Sequence, residues 1–390
     1  MISKIHLKRN EERRIKAGHL WVFSNEIGST VGKPENGDIA EIYDSKHNFI
    51  GSGFYNRNSL ISLRILSCGK IDNIYELLKE KLLSAYELRK TFYPGRNSYR
   101  FVFSESDFLP GLIIDKYNNT FVLQIYSYGM ERNIEMIVKI LKEDFSAGNI
   151  FSKHETYFRK LEGLSEEDKI YLGSKKTEII DDGVIKYKID FEKGQKTGFY
   201  FDQSDNRFFV EKISKEKSIA DLFCNAGGFG LHAAKAGAAS ATFVDSSSSE
   251  IDNVKNNFKL NELKTSSEFI VSDVFDFMER CISENKKYDV VILDPPAFAK
   301  SKKDLAAAKK GYEKLNKIAL QITNRGGYLV TSSCSHHLPK SEFIKIINSA
   351  VSKVGKQIQL LHFNGASLDH PELPGMNETS YLKFAVFRVL

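Results

Sequence analysis

The chain of 390 residues is short of several things. It has four cysteines, Cys68, Cys224, Cys281 and Cys334, far apart and with no Cys-x-x-Cys pair. That spacing argues against a zinc site or a disulfide framework, so no metal is expected and a reducing compartment is. No apolar stretch approaches the ~20 residues that span a bilayer, so no membrane partner is expected. Met1 to Lys16 is charged and lacks the apolar segment of a secretory leader, which points to the cytoplasm. An excess of one charge is also missing: 56 basic against 50 acidic residues give +6. Such a balance permits nucleic acid as a partner without demanding it. Prolines number only eight, yet two stand together, Pro295-Pro296, directly after Asp294.

At this length two or three domains are expected. Residues 1–70 read as all-β, because short apolar runs alternate with turn signals at Gly18, Gly28, Gly32, Asn36-Gly37, Gly51 and Gly53. A small barrel is the natural solution, since closure removes exposed edges. Its start holds Lys8, Arg9, Arg13, Arg14 and Lys16 ahead of Trp21 and Phe23. Basic residues beside aromatics suit a nucleic-acid face, although a solvated lead-in to a core strand explains them as well. Residues 71–175 read as a small α+β module. It comprises a helix over 71–89, strands near 101–103 and 120–126 with a turn at Pro110-Gly111, and a helix over 131–141. Asp107, Asp115 and His154 are read there as surface carboxylates and a loop histidine. From residue 176 a hairpin over 177–190 leads to Gln195-Lys196-Thr197-Gly198-Phe199-Tyr200-Phe201-Asp202-Gln203. Strands and helices then alternate, with strands at 219–223, 241–245, 268–271, 289–293 and 327–331. Alternation of this kind means a parallel sheet covered on both faces, the α/β Rossmann-like class. The tail, 381–390, reads as a further strand at the sheet edge.

In an open parallel sheet, ligands sit beyond the carboxyl ends of the strands. The first strand-to-helix turn is Asp221-Leu222-Phe223-Cys224-Asn225-Ala226-Gly227-Gly228-Phe229-Gly230. Gly227 and Gly228 allow backbone to approach a ligand closely. Phe223 and Asn225 stand where a dinucleotide loop keeps glycines. This argues against a pyrophosphate and leaves room for a cofactor with an amino-acid tail, such as S-adenosylmethionine. Asp245 ends the next strand about twenty residues on, where a carboxylate takes ribose hydroxyls. Asp273 ends the third and is placed to face the adenine amino group. Taken singly, each is an ordinary loop glycine or strand-end aspartate; the ordered set carries the reading.

Asp294-Pro295-Pro296-Ala297-Phe298 leaves the fourth strand as a rigid segment, because proline fixes its own backbone and restricts its predecessor. A carboxylate there can hydrogen-bond one edge of a flat base while Phe298 stacks on it. Adenine N6 methyltransferases place the aromatic right after the second proline; here Ala297 intervenes. Thr331-Ser332-Ser333-Cys334-Ser335 leaves the fifth strand. A cysteine in a run of small hydroxyl residues at a strand end is less natural as core than as nucleophile. A thiolate adding to C6 of cytosine makes C5 electron-rich, and a carboxyl group at N3 accepts the displaced charge. Cys224 reads as packing, and Cys68 and Cys281 have no supporting neighbours. His336 and His337 follow the thiol without an evident role.

These residues are similar to the bacterial 23S rRNA cytosine-5 methyltransferases of the RlmI (YccW) type, over the whole chain. Lys16 to Ser24 resembles that family's PUA domain, an RNA-binding β-barrel. Ser104 to Tyr117 resembles its central domain. Lys196 to Gln203, with Asn206-Arg207, resembles its entry to the class I methyltransferase domain, residues 176–390. The strings at Asp294 and Cys334 match its motifs IV and VI. The resemblance implies Cys334 as nucleophile and Asp294 as the base-orienting carboxylate. It implies S-adenosylmethionine held by Asp221, Phe223, Asn225, Ala226, Gly227, Gly228, Asp245, Asp273 and Asp294. Pro295, Pro296, Phe298 and Lys300 are expected at the substrate, and 23S rRNA or a large-subunit precursor is the expected partner. The sequence admits a homodimer. Many RNA cytosine-5 methyltransferases carry a second cysteine after the motif IV proline; Pro296-Ala297 here removes that route to product release. Lysines 300, 302, 303, 309 and 310 could hold rRNA phosphates or form a solvated helix face. Two other readings stay open: a nitrogen-directed methyltransferase, for example at guanine N7, and a non-catalytic RNA-binding assembly factor.

Overall fold

The computed structural model describes residues 2–192, 194, 196–299 and 302–390, without the side chain of Lys302. The chain divides into two compact units. One holds Met1–Ile180, Ile189–Phe201 and Leu368–Thr379; the other holds Asp181–Lys188, Asp202–Ser367 and Ser380–Leu390.

The first unit opens with β1 (Ser3–Leu7), α1 (Glu12–Lys16), β2 (Trp21–Phe23), β3 (Ile27–Val31), β4 (Ile39–Tyr43), β5 (Phe49–Tyr55) and β6 (Ile61–Ser67). These strands form a six-stranded sheet in the order β2-β6-β5-β4-β1-β3. Ile5, Val22, Ala40, Ile42 and Leu63 are its fully buried core, each large apolar side chain contributing about 1.5–3 kcal/mol. The region is not all-β, because α1 intervenes. Its Arg14 is committed within the unit, to Glu26 at 2.6 Å; Lys8, Arg9, Arg13 and Lys16 are exposed, with Lys16 paired to Asp44 at 3.2 Å and Lys8 donating to the Asn25 carbonyl at 2.7 Å.

Then come α2 (Ile74–Phe92), β7 (Ser98–Phe103), β8 (Leu112–Tyr117), β9 (Thr120–Ile125), α3 (Tyr128–Arg132), α4 (Ile134–Asp144), β10 (Asn149–Ser152), α5 (Thr156–Glu162) and β11 (Ile170–Leu172). The sheet order is β11-β10-β9-β8-β7. α2 starts at residue 74 rather than 71 because the Asn73 side chain accepts from the N–H groups of Tyr75 and Glu76, a helix cap. Asp107 and Asp115 are buried, not on the surface. Asp107 takes both ends of the Arg89 guanidinium, at 2.5 and 2.8 Å, and Asp115 pairs with Arg100 at 2.6 Å. The returning segment 368–379 completes this network: the Asp369 carbonyl accepts from Arg89 and its carboxylate from the Arg100 N–H. His154 is half-buried, and burial foremost lowers it to about 4.

β12 (Thr177–Asp181) and β13 (Lys186–Asp190) make a two-stranded sheet. The second unit continues with α6 (Ser204–Glu211), β14 (Ser218–Leu222), α7 (Gly228–Lys235), β15 (Ser240–Asp245), α8 (Ser248–Leu260), β16 (Ser266–Val271), α9 (Val274–Ser283), β17 (Tyr288–Leu293), α10 (Leu305–Gln321), β18 (Thr323–Ser333), α11 (Lys340–Val354), β19 (Ile358–Asn364) and β20 (Lys383–Val389). The sheet order is β16-β15-β14-β17-β18-β20-β19. β14 to β18 are parallel, and β20 runs antiparallel to both its neighbours. Ala220, Leu222, Val291, Leu293 and Leu329 bury one face of the sheet against Phe277, Tyr312, Leu315 and Phe343. The tail strand is therefore not at the edge. It lies between β18 and β19, because Phe384 to Phe387 are buried throughout and need neighbours on both sides. Strand order reverses between β14 and β17, and at such a crevice an open α/β sheet takes its ligand.

Candidate active site

The loops after β14, β17 and β18 meet at the carboxyl end of the sheet. In the first, Phe223, Asn225 and Gly227 all have left-handed backbone, with φ of 62°, 45° and 80°. Glycine adopts this freely; for phenylalanine and asparagine it stores roughly 1–3 kcal/mol of strain each, which the surroundings must offset. They do. The Asn225 N–H donates to Asp245 Oδ2 at 3.0 Å, the Ala226 carbonyl accepts from buried Asn257 of α8 at 3.2 Å, and Gly230 N–H donates to Asp221 Oδ2 at 2.8 Å. A side chain at Gly228 would collide with Arg207 of α6. Asn257 and Arg207 went unassigned in the sequence because both act from other helices.

Asp245 accepts Ser247 N–H on its other oxygen, at 3.0 Å. Each carboxylate oxygen keeps a further lone pair for a ligand. Asp273 is exposed and caps α9, its Oδ1 accepting from Phe275 and Asp276 N–H groups. That cap explains its presence independently of any adenine.

Asp221 is buried at the end of β14, and burial, with the negative charges of Asp294 and Asp245, pushes it up to about 8. Asp294 is pushed up to about 7, by burial first and then by Asp202. Both groups therefore hold their protons toward neutral pH, and Arg207 is the cation that acts on each of them.

The β17 and β18 loops are fastened to each other. Ser335 Oγ accepts from Ala299 N–H at 3.3 Å and bonds Tyr312 Oη at 3.0 Å. Cys334 is half-buried, with Sγ 3.9 Å from the Pro295 carbonyl oxygen. The loops that carry the carboxylate and the thiol singled out in the sequence thus touch at Pro295 and Cys334. Pro295 is buried and Pro296 exposed. Phe298 is half-buried, its ring 4.6 Å from that of Tyr312, so one side of it is committed to the core. Lys300 lies outside the described residues, and Lys309 is paired with Glu342 at 2.6 Å. His336 is exposed and His337 half-buried, their rings edge to face at 5.5 Å. Cys224 and Cys281 are buried packing residues.

Three further residues complete the site. Gln203 Nε2 donates to Asp294 Oδ1 at 2.9 Å, and Asn206 Nδ2 donates to Gln203 Oε1 at 2.7 Å. Buried Lys383, opposite Ser333 in the β18–β20 ladder, donates to the carbonyls of Ser335 and Tyr381, both at 2.6 Å. The Gln203-Asn206 string stood out in the sequence only as a family resemblance, and Lys383 gave no signal.

Residues 5–68 match the family model of a PUA-like domain, and residues 168–388 match that of an S-adenosylmethionine-dependent methyltransferase. The ribosomal RNA large subunit methyltransferase I proteins of Pseudoalteromonas atlantica and Aeromonas hydrophila are 34% and 35% identical, with both chains covered in full. The chain belongs to the ribosomal RNA large subunit methyltransferase I family. As a member, it is an S-adenosylmethionine-dependent methyltransferase, built from a PUA-like domain, a small α+β module and a Rossmann-like domain. Among solved structures, SMU.776 in complex with SAH superposes with a TM-score of 0.85 at 21% identity over both full chains. A methyltransferase structure from Streptococcus mutans gives 0.83 at 20%. At that identity the likeness speaks for the fold of this family member. Among the described residues no helix is long and apolar enough to cross a membrane.

Proposed function

We propose that this enzyme methylates C5 of a cytosine in large-subunit ribosomal RNA, with Cys334 as nucleophile and Asp294 as the acid at N3. The observation that carries the reading is the approach of Cys334 Sγ to the Pro295 carbonyl, which sets thiol and carboxyl group on adjoining loops. Asp221, Asn225, Ala226, Gly227, Gly228 and Asp245 hold the cofactor, with Phe223 shaping the loop and Asp273 at its far end. When bound, S-adenosylmethionine supplies the electrophilic methyl group that the activated ring carbon accepts.

The Cys334 thiolate adds to C6, and the C5–C6 π pair moves toward N3 and O2 of the ring. Asp294, held near neutrality by its buried setting, gives N3 a proton as that charge arrives. Once C5 carries the methyl group, its own proton leaves to a general base. The electrons of the C5–H bond restore the double bond, the sulfur departs from C6, and Asp294 recovers the N3 proton. Dividing the reaction in this way lets a poor carbon nucleophile react at all.

Residues 1–70, with exposed Lys8, Arg9, Arg13 and Lys16, serve as the RNA-binding module of the cytoplasmic enzyme. RNA with 5-fluorocytosine at the target tests the chemistry, because fluorine does not leave as a proton does. A covalent RNA adduct is expected with the native enzyme and none with Cys334→Ala. Methyl groups found on a ring nitrogen, or methylation surviving Cys334→Ala, would replace this reading with the nitrogen-directed one. Absence of cofactor binding by calorimetry would favour the assembly factor.

A further inference from the structure

Amide side chains present a donor at one end and an acceptor at the other, and the neighbours decide which end faces which way. Here the decision starts at a backbone carbonyl, which can only accept. Asn206 Nδ2 donates to the Gly365 carbonyl at 3.1 Å, and Asn206 Oδ1 accepts from Asn364 Nδ2 at 2.9 Å. The orientation of the Asn206 amide is thereby fixed. Its Nδ2 also donates to Gln203 Oε1 at 2.7 Å, so Gln203 must turn Nε2 the other way. That nitrogen donates to Asp294 Oδ1 at 2.9 Å and to the Ser332 hydroxyl at 3.3 Å, and the Ser332 hydroxyl in turn hydrogen-bonds the Asp294 carboxyl group, so the serine's orientation also follows from Gln203. Gln203 and Asn206 are 2% and 0% exposed, so water does not compete for these bonds.

We propose that Gln203 is a positioning residue that selects which oxygen of Asp294 carries the proton, through a one-way hydrogen-bond chain anchored on the Gly365 carbonyl. An oxygen that accepts an N–H along its lone pair is a poor site for a proton; Oδ1 is held in that role and Oδ2 takes the proton. As the sulfur–C6 bond forms, the proton passes from Oδ2 to N3; as that bond breaks, it returns to Oδ2. The inference rests on the reading of Asp294 as the acid at N3. It gives the Gln203 and Asn206 positions a chemical task that resemblance alone did not supply.

Asn206→Asp tests the direction of the chain without touching either Gln203 or Asp294. An aspartate at 206 only accepts, so Gln203 turns its amide and offers Asp294 a carbonyl oxygen. Gln203→Met removes the donor and keeps the length of the side chain. The measurement is the rate of adduct formation with 5-fluorocytosine RNA as a function of pH, beside cofactor affinity by calorimetry. Loss of a hydrogen bond to a charged group predicts a fall of roughly ten- to a hundredfold in both variants. The pH above which the rate declines should also move upward, because the carboxylate has lost its donor. Cofactor affinity should not change. Native rate and native pH dependence in Gln203→Met, with Asp294→Asn still slow, would overturn the inference alone. Native rate in Asp294→Asn would overturn the reading beneath it. If Asn206→Asp does not fold, Gln203→Met decides by itself.

Discussion

The Sγ of Cys334 lies 3.9 Å from the carbonyl oxygen of Pro295, with the thiol donating. One residue along the same loop, the Ser335 carbonyl accepts from the Lys383 amine, which also donates to the Tyr381 carbonyl.

Lys383 should therefore matter to thiolate formation as well as to loop shape. Lys383→Met is expected to raise the pH midpoint of Cys334 alkylation by about one unit, and Lys383→Arg to restore part of it. Iodoacetamide labelling followed by mass spectrometry across pH reads this directly. An unchanged midpoint in Lys383→Met would confine Lys383 to a structural task.

Asp245 should contribute to cofactor affinity through charge-assisted hydrogen bonds, each worth about 1.5–3 kcal/mol, so Asp245→Ala should weaken binding by roughly ten- to a hundredfold. The substitution also frees the Asn225 N–H. Calorimetry with S-adenosylmethionine measures the effect, and an unchanged affinity would remove Asp245 from the cofactor site.

Asp221 and Asp294 have folded values of about 8 and about 7, both raised from 3.8. The folded state keeps these protons to higher pH than the unfolded chain. Their contribution to stability is thus greatest in acid and declines as pH rises from about 4 to about 8. Over the upper part of that window negative charge builds in the site, so affinity for the cationic cofactor should strengthen with pH. Asp221→Asn should flatten both trends in thermal melts and in calorimetry.

The Arg89–Asp107 pair is buried on both sides, with side-chain exposures of 0% and 4%. Removing one partner leaves an uncompensated charge, and Asp107→Ala should destabilise the first unit by about 3–5 kcal/mol. Denaturant unfolding would show it; a loss below about 1 kcal/mol, in the range of an exposed pair, would contradict the burial argument.

Affinity for ribosomal RNA should fall steeply with salt, because basic side chains displace counterions from phosphates. Substituting Lys8, Arg9, Arg13 and Lys16 together by glutamine should reduce RNA affinity and the salt slope while leaving cofactor binding intact. Filter binding at several ionic strengths would show this, and an unaltered slope would move the RNA face elsewhere.

The strands β14, β15, β17 and β18 were legible because each holds an apolar run that leads to a polar strand end, and those ends carry Asp245, Asp294 and Cys334. β8 and β19 were not. Asp115 and Lys116 interrupt the first, and in the second Gln359, Leu360 and Leu361 are all exposed, so no alternation marks either strand. Asp107 looked like a surface residue because its partner, Arg89, lies 18 positions away on a different element. Lys383 was hidden for the same reason, and Gln203 showed as part of a resembling string but not as the partner of Asp294, 91 positions on. Motifs record what sits on the loops that touch ligands, whereas the groups that orient those loops come from wherever the fold returns the chain.

The insertion of β20 between β18 and β19 sets an order of events during synthesis. A nascent chain can assemble the cofactor crevice while the strand that flanks the thiol is still unmade. Only when residues 383–389 arrive does β18 gain its second neighbour and the Ser335 carbonyl its buried lysine. A chain cut short before that strand would leave one side of β18, and the loop that carries Cys334, without the partner that fixes them.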